Sequence, residues 1–175
     1  SYVEKTRELI LAANKYIWEN PETGYREWKT HAYLKEQMEK LGYTLKEAGD
    51  IPGFYTVIDT GREGPEVLIL GELDSIICPE HPECDKETGA VHSCGHNAQC
   101  AALVGIAAAL KEDGATDGLS GRIRLCAVPA EELMQRFVRG DSSRTGEGSG
   151  LGLSIVKNLC ELQGGRFSIS VDGDL

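Results

Sequence analysis

Two short aliphatic runs, EVLILG at 66–71 and RIRLCAV at 122–128, bracket an Ala-rich stretch, CAALVGIAAALK at 100–111. An aliphatic run of this length is too short for a buried helix and reads as a strand inside a sheet, and a small-residue helix packs closely on such a sheet. This strand–helix–strand succession confines the chain to a layered α/β fold. The rest of the sequence agrees. Tyr2–Asn20 has Val3, Leu9, Ile10, Ala13, Ile17 and Trp18 near helical spacing, and NPETG ends it. Thr30 can cap a second helix through Lys40, which Gly42 stops. Strands are predicted at Phe54–Thr60, Glu66–Gly71 and Gly121–Pro129, with a helix from about Asn97 to Asp113 between the last two. Further on, Leu151–Gln163 is amphipathic and Arg166–Val171 alternates like a strand. The expected architecture is a mixed sheet with helices packed on it, which that C-terminal helix and strand would complete.

Charge narrows the function classes. A net charge of −10 argues against a nucleic-acid or anionic-membrane surface, both of which need clustered positive charge. No apolar run approaches the ~20 residues of a membrane span. The opening SYVEKTRELILAAN mixes charges of both signs, unlike a signal peptide. Six cysteines in such a chain read as thiols or ligands rather than a disulfide frame, so a soluble cytoplasmic protein is expected. The charge also has a seam. Residues 1–133 carry 13 of the 18 basic and 23 of the 28 acidic side chains, and residues 134–175 carry five of each. Eight of the 21 glycines fall in that last part. Arg139–Gly150, RGDSSRTGEGSG, has the content of a mobile loop.

Chemistry-bearing residues cluster at the expected strand ends. His92-Ser93-Cys94-Gly95-His96-Asn97 leads into the Ala-rich helix, and Pro129-Ala130-Glu131-Glu132 follows a strand. Thiolate, imidazole and carboxylate form a borderline-soft donor set suited to zinc or a similar divalent ion. Cys94 and His96, two apart, reach one ion from a loop. Adjacent Glu131 and Glu132 point different ways, so one can bind metal while the other takes a proton from an activated water. Asp74, in Gly71-Glu72-Leu73-Asp74-Ser75, stands at a third strand end and could orient a ligand. His31 and His81 read as surface residues, and Cys78, Cys84, Cys100, Cys126 and Cys160 as small hydrophobes.

NPETGYREWKT, GELDSI, CPEHPECD, GAVHSCGHNAQCAALVGIAAAL and VPAEEL, in this order, resemble the metal-dependent aminoacylase/carboxypeptidase family over about residues 1–133. The likeness is greatest to its amidohydrolase branch, with the p-aminobenzoyl-glutamate and auxin-conjugate hydrolases. It implies a partial catalytic domain that hydrolyses amide bonds of N-acyl amino acids or dipeptides with divalent metal, Zn or Mn. Carried over by position, Cys94, His96 and Glu132 match metal ligands, Glu131 the general base and Asp74 the acidic residue of the first motif. The family uses two further His ligands, and no His follows His96. One ion at most is therefore expected, with little or no activity.

Residues 134–175 carry a second resemblance. Phe137-Val138-Arg139-Gly140-Asp141 followed by GEGSGLGLSIVKNLCELQGGRFSISV resembles the C-terminal part of a histidine-kinase ATP-binding domain. Gly146, Gly148, Gly150 and Gly152 match its glycine box, where backbone N–H groups and a helix N-terminus face phosphate. The adenine-site box and Mg²⁺ helix of that family have no counterpart upstream, so ATP affinity is not expected. The chain thus reads as a chimera: part of a metallo-amidohydrolase joined near residue 133 to part of a kinase lid segment. The alternatives are an ATP-binding fragment of a sensor kinase, or an α/β scaffold with no catalytic function.

Overall fold

The computed structural model describes residues 2–130. The expected C-terminal helix and strand, the Arg139–Gly150 loop, the seam near 133, Cys160, Glu131, Glu132 and the four box glycines all lie outside the described residues. Helix α1 (Tyr2–Lys5) and helix α2 (Arg7–Glu19) occupy the stretch expected to be a single helix. Thr6, at φ −102° and ψ 6°, separates them. The apolar spacing that suggested continuity belongs to α2, whose Ala13 and Ile17 are fully buried.

Helix α3 (Trp28–Lys40) begins two residues before the expected Thr30 cap. Its cap comes instead from the preceding loop. The Glu22 carboxylate accepts the backbone N–H of Lys29 at 3.0 Å, and of Thr30 at 2.9 Å, with the Thr30 hydroxyl at 3.2 Å. A carboxylate there satisfies donors that a helix start leaves unpaired and complements the helix dipole. Gly42, at φ +81°, ends the helical path as expected.

The main sheet has the order β1-β2-β6-β3, from β1 (Lys46–Glu47), β2 (Phe54–Asp59), β3 (Glu66–Glu72) and β6 (Arg122–Val128). β2 runs antiparallel to β6 and β3 parallel to it, so the sheet is mixed, in agreement with the expected α/β class. Helix α4 (His96–Ala109) crosses between β3 and β6. Its buried face, Cys100, Leu103, Val104 and Ala107, joins Phe54 and Leu125 of the sheet with Ile17, Leu34 and Met38 in one core. Gly105 lets α2 come close: a Cβ there would lie 2.7 Å from Ile10 Cδ1. A separate antiparallel pair, β4 (Ile76–Ile77) and β5 (Ala90–Val91), folds the segment between β3 and α4 back on itself.

Three expectations need correction. EVLILG is not enclosed in the middle of the sheet: among the described residues β3 pairs on one side only, with β6, and Val67 is 51%, Leu68 47% and Leu70 43% exposed. Pairing across the sheet sets Val57, Arg124 and Leu68 side by side on one face, and Val57 and Leu68 are both exposed. The core packs against the other face. The reading of His31 as a surface residue fails too. It is buried, its Nδ1 accepts the Gly53 N–H at 2.8 Å, and its Nε2 lies 3.3 Å from Glu47. Burial pushes its pKa down, against the pull of Glu47. Cys84, Cys100 and Cys126 are buried thiols as expected, whereas Cys78 is only partly covered. Among the described residues no helix is long and apolar enough to cross a membrane.

Candidate functional site

The C-terminal end of β3 and the N-terminus of α4 meet at one place. Leu73 donates its N–H to the Val128 carbonyl at 2.9 Å, which continues the β3–β6 pairing one step past the strand ends. Beyond it Asp74 is fully buried. Gly95 adopts φ +95°, a conformation that favours glycine, and turns the chain into α4 so that His96 opens the helix.

His96 is held on both ring nitrogens. Nδ1 lies 2.9 Å from the Asp74 carbonyl oxygen and 3.2 Å from Asp74 Oδ1, and Nε2 lies 3.1 Å from Glu72 Oε2. Burial alone would lower its pKa. Hydrogen bonds to Asp74 and Cys94 outweigh that and push it up to about 11, so the imidazole is a cation here. Glu72 is itself fixed by Gln99, whose Nε2 donates to its carboxylate at 2.9 Å and whose Oε1 accepts its backbone N–H at 2.6 Å. Cys94 Sγ approaches the same Asp74 carbonyl at 4.0 Å. Cys100, one turn into the helix, donates to the Glu72 carbonyl at 3.0 Å, and burial raises its thiol pKa strongly. It is a structural thiol.

Of the residues singled out from sequence, Asp74, Cys94 and His96 therefore come together, and Glu131 and Glu132 lie outside the described residues. Among the described residues no three His, Cys, Asp or Glu side chains are grouped closely enough to hold an ion. The donor chemistry suits a borderline metal all the same. A thiol and an imidazole share a loop and a common neighbour, the Asp74 carbonyl. An ion entering there must displace the proton on His96.

Three neighbours have no site role assigned from the sequence: His92, which stands in the same cluster, Glu22 and Glu27. His92 is buried, and among the described residues neither ring nitrogen has a hydrogen-bond partner. Burial first, and the His96 charge second, lower its pKa to about 4, so it is neutral. Glu22, besides capping α3, accepts both the N–H and the hydroxyl of Ser75 on its carbonyl, each at 2.8 Å. Glu27 is fully buried, and its Oε1 accepts the Ala130 N–H at 3.0 Å. Burial raises its pKa to about 7. Glu22 and Glu27 both fall in NPETGYREWKT, one of the segments that carry the family resemblance, and that segment is the signal for them.

Comparison with known proteins follows the same division. Over 126 residues the chain is 31% identical to the N-acetyl-L-cysteine deacetylase of Bacillus subtilis (strain 168), covering 70% of this chain and 30% of that protein. It is 32% identical over 128 residues to IAA-amino acid hydrolase ILR1-like 4 of Arabidopsis thaliana, covering 71% and 28%. The chain thus spans less than a third of the length of these curated relatives. In fold it matches a Bacillus subtilis crystal structure described as a dinuclear metal binding peptidase from the M20 family. The TM-score is 0.64 at 22% identity, over 78% of this chain and 40% of that one. A family model, "Histidine kinase-, DNA gyrase B-, and HSP90-like ATPase", matches residues 104–174. That match starts 30 residues earlier than the resemblance read from the glycines. It takes in the end of α4 and all of β6.

Proposed function

From the likeness of its N-terminal portion to M20 aminoacylases and amidohydrolases, we propose that residues 1–133 form part of a metal-dependent amidohydrolase site for N-acyl amino acids or dipeptides. The observation that supports this most is the convergence of Cys94, His96, Asp74 and Glu72 where β3 ends and α4 begins. In this reading Cys94, His96 and Glu132 hold a divalent ion, Zn²⁺ or Mn²⁺. The ion would supply polarisation of the scissile carbonyl and acidification of a water. Glu131 accepts the proton of the attacking water and returns it to the leaving amine. Asp74 orients the His96 ring from behind, fixing which nitrogen is free to act as a donor. Glu72, which lies 3.1 Å from Nε2, is the carboxylate that such an ion would have to displace.

These 175 residues alone contribute one ion's ligands, and hydrolysis by them is expected to be feeble. The test is amine release from N-acetylated amino acids and simple dipeptides, with Zn²⁺ or Mn²⁺ and with chelator. Weak, chelator-sensitive release that Glu131→Gln abolishes supports the reading. Release that survives Glu131→Gln overturns the assignment of the base.

The family-model match at 104–174 favours a second reading, a nucleotide site built on Gly146, Gly148, Gly150 and Gly152. Calorimetric titration with ATP distinguishes the two: micromolar binding would make the chain a nucleotide module. A scaffold without ligand would give neither signal.

A further inference from the structure

We propose that His31 is an acid-sensitive latch: its neutral imidazole holds the β1–β2 turn to α3 through the Gly53 N–H, and protonation of the ring releases that turn. The ring is buried and meets a different partner on each nitrogen. Gly53 donates its N–H to Nδ1 at 2.8 Å, which requires a lone pair there and places the ring proton on Nε2. That proton faces Glu47 Oε2 at 3.3 Å. A second proton has only Nδ1 to go to, where it meets the Gly53 N–H head on. Two donors then oppose each other in a buried place, which costs more than the lost bond alone. The Glu47 contact responds in the opposite sense, because a cationic ring is drawn more strongly to a carboxylate. The ring therefore stays with Glu47, and the Gly53 turn parts from it.

Gly53 sits where such a release is felt. It is buried at φ +124°, and its carbonyl accepts the Ala48 N–H at 3.0 Å, which closes the turn 48–53. A Cβ at Gly53 would lie 2.9 Å from the Ala127 carbonyl oxygen and 3.4 Å from Pro129 Cδ, so the turn rests directly on the end of β6. β1 has two residues, both exposed, paired as Lys46 with Tyr55 and Glu47 with Phe54. Glu47 ties this short strand to α3 through His31 and Lys35. The charged groups that face the ring are Glu47 from β1 and Lys35 from α3. The Phe54 ring of β2 and the Trp28 ring, one turn earlier in α3, meet it in T-shaped contacts at 5.6 Å and 5.5 Å between centroids. Asp50, in the turn itself, is exposed. Burial outweighs Glu47 and holds the pKa of the ring below 6.5. A released ring in water titrates at its ordinary value, so the held state binds fewer protons and is lost as pH falls below that value. Glu47, held below 4.5 by Lys35 first, stays ionised over the upper part of that range.

The test is an NMR pH series on the full chain. It reads the His31 ring together with the protection of the Gly53 and Val104 amides relative to their intrinsic exchange rates. Between about pH 7 and pH 4, protection at Gly53 should fall by about fivefold or more in step with the ring, while Val104 in α4 changes by less than about twofold. His31→Asn puts an amide oxygen where Nδ1 stands and has no proton to gain, so Gly53 should stay protected and lose its pH response. Glu47→Gln keeps the ring but removes the carboxylate that favours its charged form, so release should move to lower pH. Gly53 protection that falls as steeply in His31→Asn as in wild type overturns the latch. So does a release midpoint that Glu47→Gln leaves in place or raises. Loss of Gly53 and Val104 protection together would mean acid unfolding of the whole core, and no latch. None of these readouts needs metal or substrate, so the latch stands or falls apart from the hydrolase reading.

Discussion

His96 meets Asp74 twice through one nitrogen: Nδ1 lies 2.9 Å from the Asp74 carbonyl oxygen and 3.2 Å from Oδ1. The carbonyl contact is built into the backbone and survives any substitution of the side chain, whereas the carboxylate contact supplies the charge. Asp74→Asn should therefore leave the ring in place and lower its pKa from about 11. The loss of a buried charge-assisted bond should also cost ~1–3 kcal/mol. Titration of the His96 ring by NMR checks the first part, and urea unfolding checks the second. An unchanged His96 titration would show that Cys94 and Glu72, not Asp74, hold the proton.

Metal uptake should compete with that proton. His96 is cationic at neutral pH, so an ion that binds its imidazole must release the proton to solution. Zinc affinity is therefore expected to rise with pH across the neutral range, by up to about tenfold per unit. Cys94→Ala should retain much less metal than wild type when both are purified without chelator. Equal metal content in the two proteins would remove Cys94 from the ligand set.

Glu27 gives a signed pH effect. Its folded pKa of about 7 lies above the ordinary 4.5, so the folded chain holds a proton that the unfolded chain gives up. Between those two values the native state binds more protons, and stability falls as pH rises through the window. The whole contribution is about 3 kcal/mol, present in full below pH 4.5 and lost above about 7. Glu27→Gln cannot titrate. Its stability relative to wild type should climb from pH 4.5 to pH 8 in paired denaturant series, with Tyr25 and Asp74 unchanged in both. A constant difference across that range would mean that Glu27 is ionised in the folded chain.

The sequence was most legible where one element's pattern depends on its own residues. The strand–helix–strand succession of β3, α4 and β6 was read to within a few residues, because aliphatic content and length decide it locally. Legibility failed where a distant partner decides. The start of α3 was misplaced because its cap is Glu22, outside the helix. Glu27 sits between Arg26 and Trp28, with no neighbour in sequence that signals burial, and the partner it meets inside, the Ala130 N–H, lies 103 residues away. His31 likewise meets partners distant in sequence, Gly53 and Glu47. In the candidate site, Cys94 and His96 were legible as a pair. Glu72 and His92 stood in the same clusters, but no role was assigned to either, because whether such a side chain is buried or paired depends on how β3 and α4 pack.

The apolar run of β3 separates composition from burial. Leu70 lies in EVLILG and would be taken for core by sequence, yet it is 43% exposed on a strand that, among the described residues, pairs on one side only. Leu103 is 1% exposed in α4, among the residues of the central core. Truncating a leucine removes its transfer energy and leaves a cavity whose size depends on how closely the surroundings pack. Leu103→Ala should therefore cost ~2–5 kcal/mol. Leu70→Ala leaves no closed cavity and should cost less than about 1 kcal/mol. Unfolding of both variants under one set of conditions measures the contrast directly. Similar losses at the two positions would mean that the Leu70 face of the sheet is covered in solution, and the exposure of β3 would then have to be abandoned.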